Sequence, residues 1–382
     1  MTARLMLSCG ETSGDLYAGA LVRELRALDP TVSVRGVGGP QFAAAGGELI
    51  ADYRGLSVTG FAAPLGKLGH TYARLRTLLD SARRDPPDAI IAIDVPDFNF
   101  WLVRGAKRLG IPIVFYISPQ IWAWRGGRLK TIKATADLVI VIFPFEEKIY
   151  SDAGVPVRFV GHPLIDLVAH ADKPAFLRRH GLSADAPTVA ILPGSRANEL
   201  ARILPDLIGA AERIRARVPN AQFIVARAPD LDDALFDAAR SPVLGPVAVV
   251  EGDTDAVLSS ADVVLTASGT ATVQTAIHDV PMVIVYRLSA LEYWIGRRLV
   301  TVDTFGMVNL IAGEKIVPEL IQEAFTPEAV ADEAISLLTD SSRRARVREG
   351  LARVRQRLGD PGASRRAAEA ILQVVRQGGR PK

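Results

Sequence analysis

The stretch Ala89-Ile90-Ile91-Ala92-Ile93-Asp94-Val95-Pro96-Asp97-Phe98-Asn99 decides the fold. Five apolar residues in a row, without alternation, fit a strand buried on both faces, as in a parallel sheet. Asp97 then opens the next helix and reads as its N-cap. Asp94 ends the strand, where a carboxylate is expensive unless it has a task. Two readings stand for it, a general base and a backbone-bonded turn residue.

The same alternation runs outward in both directions. Arg4–Ser8, Val32–Val37, Ile113–Tyr116, Leu138–Phe143 and Phe159–Val160 read as further strands, with Leu16–Leu28 as a helix stopping before Asp29-Pro30. The pattern restarts with Thr188–Leu192, Gln222–Ala226, Val247–Val250, Val263–Leu265 and Met282–Tyr286. Strand–helix alternation repeated twice predicts an α/β chain of two doubly wound Rossmann-like domains facing across a cleft. The expected limits are 1–165 and 166–342, with a hinge near His162–Lys173. A basic helical segment, 343–382, is expected to pack back on the first domain.

The 382 residues are 49% hydrophobic and 23% charged, which excludes disorder. A single Cys9 excludes a disulfide scaffold and a Cys-ligated zinc site. The longest apolar run, Leu138–Phe145, is far short of a membrane span, and Glu11 and Asp15 come too early for a secretory signal. A cytoplasmic protein is expected. From Ser341 onward, eleven Arg and one Lys face only Glu349, Asp360 and Glu369, a net of +9 against +3 for the whole chain. That tail raises a non-enzymatic nucleic-acid binder as a rival reading; a solvated helix face is the commoner cause.

Ligands of open α/β sheets sit beyond the carboxyl ends of strands. Ser8-Cys9-Gly10-Glu11-Thr12-Ser13-Gly14-Asp15 occupies such a place, though it is neither a dinucleotide fingerprint nor a P-loop; a tight turn with Ser13 or Asp15 as N-cap is its plainer reading. Leu192-Pro193-Gly194-Ser195-Arg196 offers amides and a guanidinium fork to a phosphate. Ala267-Ser268-Gly269-Thr270-Ala271-Thr272 is a second glycine-containing helix entry in the same half. Two anion sites in one domain suit a diphosphate.

Together with Ser118-Pro119-Gln120-Ile121-Trp122-Ala123-Trp124, Phe143-Pro144-Phe145-Glu146, Phe159-Val160-Gly161-His162-Pro163 and Val308-Asn309-Leu310-Ile311-Ala312-Gly313, these segments resemble the lipid-A-disaccharide synthase family, in family order from residue 10 to 313. The resemblance implies a GT-B glycosyltransferase that moves 2,3-diacylglucosamine from UDP to 2,3-diacylglucosamine 1-phosphate, inverting the anomeric centre. It implies Asp94 as catalytic base. Arg196, Ser268, Gly269, Thr270 and Asn309, with Gly194 and Ser195, would hold the UDP-sugar. Gln274 stands where the family often has a ribose-gripping Glu, and offers a neutral acceptor instead. Glu11, Ser13, Gly14, Trp124, His162 and Arg287 are further candidate substrate contacts; Trp124 and His162 have packing roles as their alternatives.

Asp253-Thr254-Asp255 resembles a metal-binding Asp-x-Asp, but Asp253 reads more simply as an N-cap. No metal and no cofactor are expected. Leu65, Leu68, Tyr72, Leu75, Leu78 and Leu79 recur at helical spacing among Lys67, Arg74, Arg76, Arg83 and Arg84. This predicts contact with an anionic membrane, with Tyr293 and Trp294 as a second contact; the resemblance implies contact with acyl chains and a place at the inner face of the inner membrane. The other reading is the core face of an amphipathic helix. The partners implied are the UDP-diacylglucosamine donor, the acylated glucosamine 1-phosphate acceptor and the membrane surface, without nucleic acid; a homodimer is the candidate assembly. Rival enzymes of this fold are a UDP-N-acetylglucosamine epimerase and the peptidoglycan glycosyltransferase.

Overall fold

The apolar runs become parallel strands. The computed structural model describes residues 2–54, 65–119, 127–229, 231–288 and 306–378, of which 65–68 are described by backbone only. Among these, 2–166 with 358–378 form one compact unit and 167–288 with 306–357 another.

The first unit carries a parallel sheet of seven described strands: β1 (Arg4–Ser8), β2 (Ser33–Gly38), β3 (Glu48–Asp52), β4 (Ala89–Ile93), β5 (Ile113–Tyr116), β6 (Leu138–Val141) and β7 (Val157–Phe159). Their order is β3-β2-β1-β4-β5-β6-β7. β1, at the start of the chain, thus lies beside β4, with Leu5 opposite Ala89 and Ser8 opposite Ala92. Chain order runs away from this pair on both sides, which makes it the topological switch point. Met6, Ile90, Ala92, Phe98, Leu102 and Phe115 form part of the buried core around it.

The second unit repeats the scheme with β8 (Thr188–Leu192), β9 (Gln222–Arg227), β10 (Val247–Glu251), β11 (Val263–Ala267), β12 (Met282–Tyr286) and β13 (Glu319–Ile321). The order β10-β9-β8-β11-β12-β13 puts its switch point between β8 and β11, with Leu192 opposite Thr266. β3 and β13 were not expected. Both are edge strands, β3 holding Glu48 and Asp52 and β13 only three residues long, so neither shows a buried apolar run.

Several expectations need correction. The basic segment 343–382 does not act as one body. Helix Ser341–Arg357 belongs to the second unit and buries Val347, Leu351 and Val354 there. Only helix Ala363–Arg376 returns to the first unit, against helix Thr12–Leu28, with Asp166 accepting the Gly362 and Ala363 amides at 2.6 and 3.0 Å. Many of its arginines have structural work: Arg343 meets Glu333, Arg353 meets Glu314 and Glu349, and Arg357 and Arg366 hold backbone carbonyls. In helix Leu65–Arg84, Leu78 is buried, and Leu75 and Leu79 pack against the core, so Leu75 points inward and not to lipid. Tyr72 remains 67% exposed. Asp97 is not an N-cap: Val95 is, Pro96 follows, and Asp97 lies in the first turn 3.9 Å from Arg128. Asp15 caps a different helix from the one expected, accepting the amides of Gly39, Gln41 and Phe42 at 2.7 to 3.0 Å at the start of helix Pro40–Ala44.

Candidate active site

Each switch point receives two of the segments singled out above. In the first unit the 9–15 turn follows β1 and the 94–99 turn follows β4. Asp94 and Val95 both take left-handed backbone angles, φ +46° and +42°. Two such non-glycine residues in succession cost on the order of 1–3 kcal/mol each. A clamp holds them there. Buried Asn99 donates to the Ile93 and Asp94 carbonyls at 3.1 and 2.7 Å, and accepts from Ser8 Oγ at 2.7 Å. The Asp94 amide donates to the Ile117 carbonyl at 3.2 Å. Gly10 closes against this elbow, since a Cβ there would lie 2.7 Å from a Val95 methyl. Asn99 and Ser8 were not picked out as site residues from sequence; an Asn in a helix's first turn beside a hydroxyl on the neighbouring strand is the signal that was available.

Asp94 is half-buried, as are Glu11 and Ser13, while Gly14 is buried. Tyr17 lies fully buried behind them. Burial raises its pKa, and the charges of Tyr116 and Asp94 add to the rise, so it stays a neutral phenol. His162 packs edge-on to Tyr17 and against Phe143, with ring centroids 6.1 and 5.3 Å away. Its Nδ1 accepts the Leu164 amide at 3.2 Å, and burial pushes its pKa down to about 3. It is a neutral, enclosed imidazole, the structural alternative of the two.

In the second unit, Gly194 follows β8 with φ +114°, and a Cβ would come within 2.5 Å of the Glu199 carboxylate. That left-handed angle strains any residue with a Cβ. Ser195 and Arg196 are exposed at the entry of helix Ala197–Arg217. After β11, Gly269 precedes helix Thr270–Ile277; nothing lies within 4 Å of its missing Cβ, and Gly269 and Thr270 are exposed. Parallel pairing of β8 with β11 brings these two helix entries side by side, and the first-turn N–H groups of a helix are able to donate to an anion. Gln274 is one turn below Thr270 and donates to Asp255 at 2.6 Å.

One expected contact is corrected. Asn309 is fully buried and saturated: its amide nitrogen donates to the Val317 carbonyl at 2.9 Å and to Glu319 at 2.7 Å, and its oxygen accepts the Ile316 and Val317 amides at 2.8 and 3.1 Å. It ties helix Met307–Ala312 to the chain that follows and has no capacity left for a ligand. The Arg287 guanidinium uses two of its five N–H donors on Asp206 and the Phe325 carbonyl and lies 4.7 Å above the Phe325 ring centroid. Asp253 and Asp255 do not converge: Asp253 sits 3.6 Å from Arg179, whereas Asp255 turns to Gln274 and His278. Trp124, Tyr293, Trp294 and the side chains of Leu65 and Leu68 lie outside the described residues.

The family model described as lipid-A-disaccharide synthetase matches residues 5–374. The chain belongs to that family. It is therefore an enzyme, a glycosyltransferase of lipid A biosynthesis. It is 41% identical to a lipid-A-disaccharide synthase of Myxococcus xanthus over 98% of each chain, and 42% identical to one of Geobacter metallireducens over 97% of each. Among solved structures it is similar to a UDP-N-acetylglucosamine 2-epimerase from Neisseria meningitidis bound to UDP-GlcNAc, with TM-score 0.69 and 12% identity, over 98% of this chain and 100% of that one. That likeness concerns the fold alone, the GT-B arrangement of two parallel-sheet α/β domains. The family does not favour the epimerase or nucleic-acid alternatives.

Proposed function

We propose that the enzyme transfers 2,3-diacylglucosamine from its UDP derivative to the 6-hydroxyl of 2,3-diacylglucosamine 1-phosphate, with inversion, giving the β-1,6 disaccharide 1-phosphate and UDP. The observation that carries this reading is that each unit delivers two helix-entry turns to its own switch point, one pair bearing Asp94 on a clamped backbone turn and the other glycine amides with an arginine. Asp94 takes the proton as the acceptor oxygen bonds to the anomeric carbon. The bond from that carbon to the diphosphate oxygen breaks, and UDP leaves with the electron pair. Arg196 and the amides around Gly194 and Gly269 stabilise the charge that develops on it. The names of the curated relatives support the acylated sugar substrates.

Both substrates would carry acyl chains, which supports peripheral work at the inner face of the inner membrane. No helix among the described residues is long and apolar enough to cross a membrane. The aromatic groups available on the first unit are Tyr72, and Trp101 at 64% exposure, on helices that pack together, with Arg74, Arg76 and Arg83 nearby in sequence. Such amphipathic side chains suit a bilayer interface.

Incubation with UDP-diacylglucosamine and the acceptor should give acceptor-dependent disaccharide and stoichiometric UDP. Epimerised donor, or UDP without disaccharide, would overturn the reading. In sedimentation with anionic vesicles, Tyr72→Ser with Trp101→Ser should lower binding without loss of fold, whereas Leu75→Ser should destabilise the protein. Unchanged vesicle binding in the double variant would remove these residues as the anchor.

A further inference from the structure

Asp255 is a carboxylate that the transfer reaction leaves unused, and its surroundings are more organised than an N-terminal turn requires. It lies in the first turn of helix Thr254–Ser260, with its side chain 24% exposed. One oxygen accepts from Gln274 Nε2 at 2.6 Å and from His278 Nε2 at 2.9 Å. The other accepts the Ala169 amide at 3.1 Å. His278 is held from its other side, with Nδ1 3.3 Å from Ser259 Oγ and the His170 ring packed edge-on 5.0 Å away.

The consequence falls on Gln274. A side-chain amide can turn either end toward a neighbour, but only its nitrogen can face a carboxylate. Asp255 therefore decides which way the amide points and sends Oε1 to the opposite side. Thr270, Gln274 and His278 are spaced four apart on helix Thr270–Ile277 and its C-cap, and so share one face. The Thr270 end of that face is the exposed helix entry beside Gly269.

We propose that Asp255 is a positioning residue that fixes the amide of Gln274 so that Oε1 is presented as hydrogen-bond acceptor to the ribose hydroxyls of the nucleotide, an inference that rests on residue 274 meeting the ribose. A glutamate at 274 would set two carboxylates against each other. In this chain Asp255 and Gln274 form a matched pair: the neutral amide serves because the neighbouring carboxylate orients it.

Calorimetry with UDP and 2′,3′-dideoxy-UDP tests this, because a merely structural defect weakens both nucleotides alike. The wild type should prefer UDP by about tenfold, the upper range for one hydrogen bond. Gln274→Ala should erase the preference, and Asp255→Ala should erase it too without touching the ligand. Gln274→Glu should lose it. Asp255→Asn combined with Gln274→Glu should recover it, because the asparagine nitrogen can then donate to the new carboxylate. This rescue does not depend on whether Asp255→Ala folds well. If Gln274→Ala keeps the preference, residue 274 does not meet the ribose and that reading fails. If Gln274→Ala loses it while Asp255→Ala keeps it, or the double variant gives no recovery, the role of Asp255 is overturned.

Discussion

The two switch points share a topology and differ in construction. The first is closed: Asp94 and Val95 are forced into left-handed angles, Asn99 and Ser8 clamp the turn, and Gly10 lets the opposite turn press against it. The second is open: Ser195, Arg196, Gly269 and Thr270 stand exposed at helix entries, with free space in front of Gly269. The difference fits the role proposed for each. A base must sit within a fraction of an ångström of one proton, which justifies stored backbone strain. A diphosphate is bound by many N–H groups, and these must remain approachable.

The largest effect that could break this contrast is Asp94→Asn. Its single-turnover rate should fall by ~10²–10⁴, the usual contribution of a general base; a near-normal rate would remove Asp94 from the chemistry. Arg196→Ala should strike the open site instead, weakening UDP binding by about 1.5–3 kcal/mol for a charge-assisted contact. Calorimetry that finds UDP affinity unchanged would reassign the diphosphate.

The closed site also predicts a pH effect. Folded His162 stays neutral down to a pKa of about 3. The unfolded chain takes up that proton below pH ~6.5. Stability should therefore be intact above that pH and fall as pH drops toward 3, by about 1.4 kcal/mol per unit from this group. Urea unfolding at several pH values should show a shallower slope for His162→Asn than for the wild type; equal slopes would contradict the buried neutral state. The smallest effect is expected from Asp97→Asn. Asp97 is exposed and only 3.9 Å from Arg128, so stability should move by less than about 0.5 kcal/mol.

How much of this was readable beforehand follows from the range of the forces involved. The buried strands around both switch points show as continuous apolar runs, because each is covered on two faces and little else satisfies that. The edge strands β3 and β13 do not show, since their environment is half solvent. Gly194 and Gly269 were visible because a glycine at a strand-to-helix turn has few other uses. Asn309 and Arg287 were not legible in the same way: a polar residue beside apolar ones looks alike whether it binds a ligand or the protein. Only the fold reveals that the Asn309 amide is saturated by Val317, Glu319 and Ile316, and that Asp206 and Phe325 draw on Arg287. The leucines of helix Leu65–Arg84 carried the same ambiguity, and Leu75, Leu78 and Leu79 resolved it inward. Asp255 was visible as a carboxylate after a strand, but its partner lay nineteen positions away on another helix.

The division between a closed base site and an open nucleotide site is tested most directly by the UDP affinity of Asp94→Asn. If Asp94 serves only the acceptor proton, calorimetry should give a UDP dissociation constant within about twofold of wild type, since the interaction lost belongs to the transition state and not to bound nucleotide. A loss of UDP affinity on the order of tenfold or more would mean that Asp94 helps to hold the nucleotide, and the separation of roles between the two switch points would be wrong.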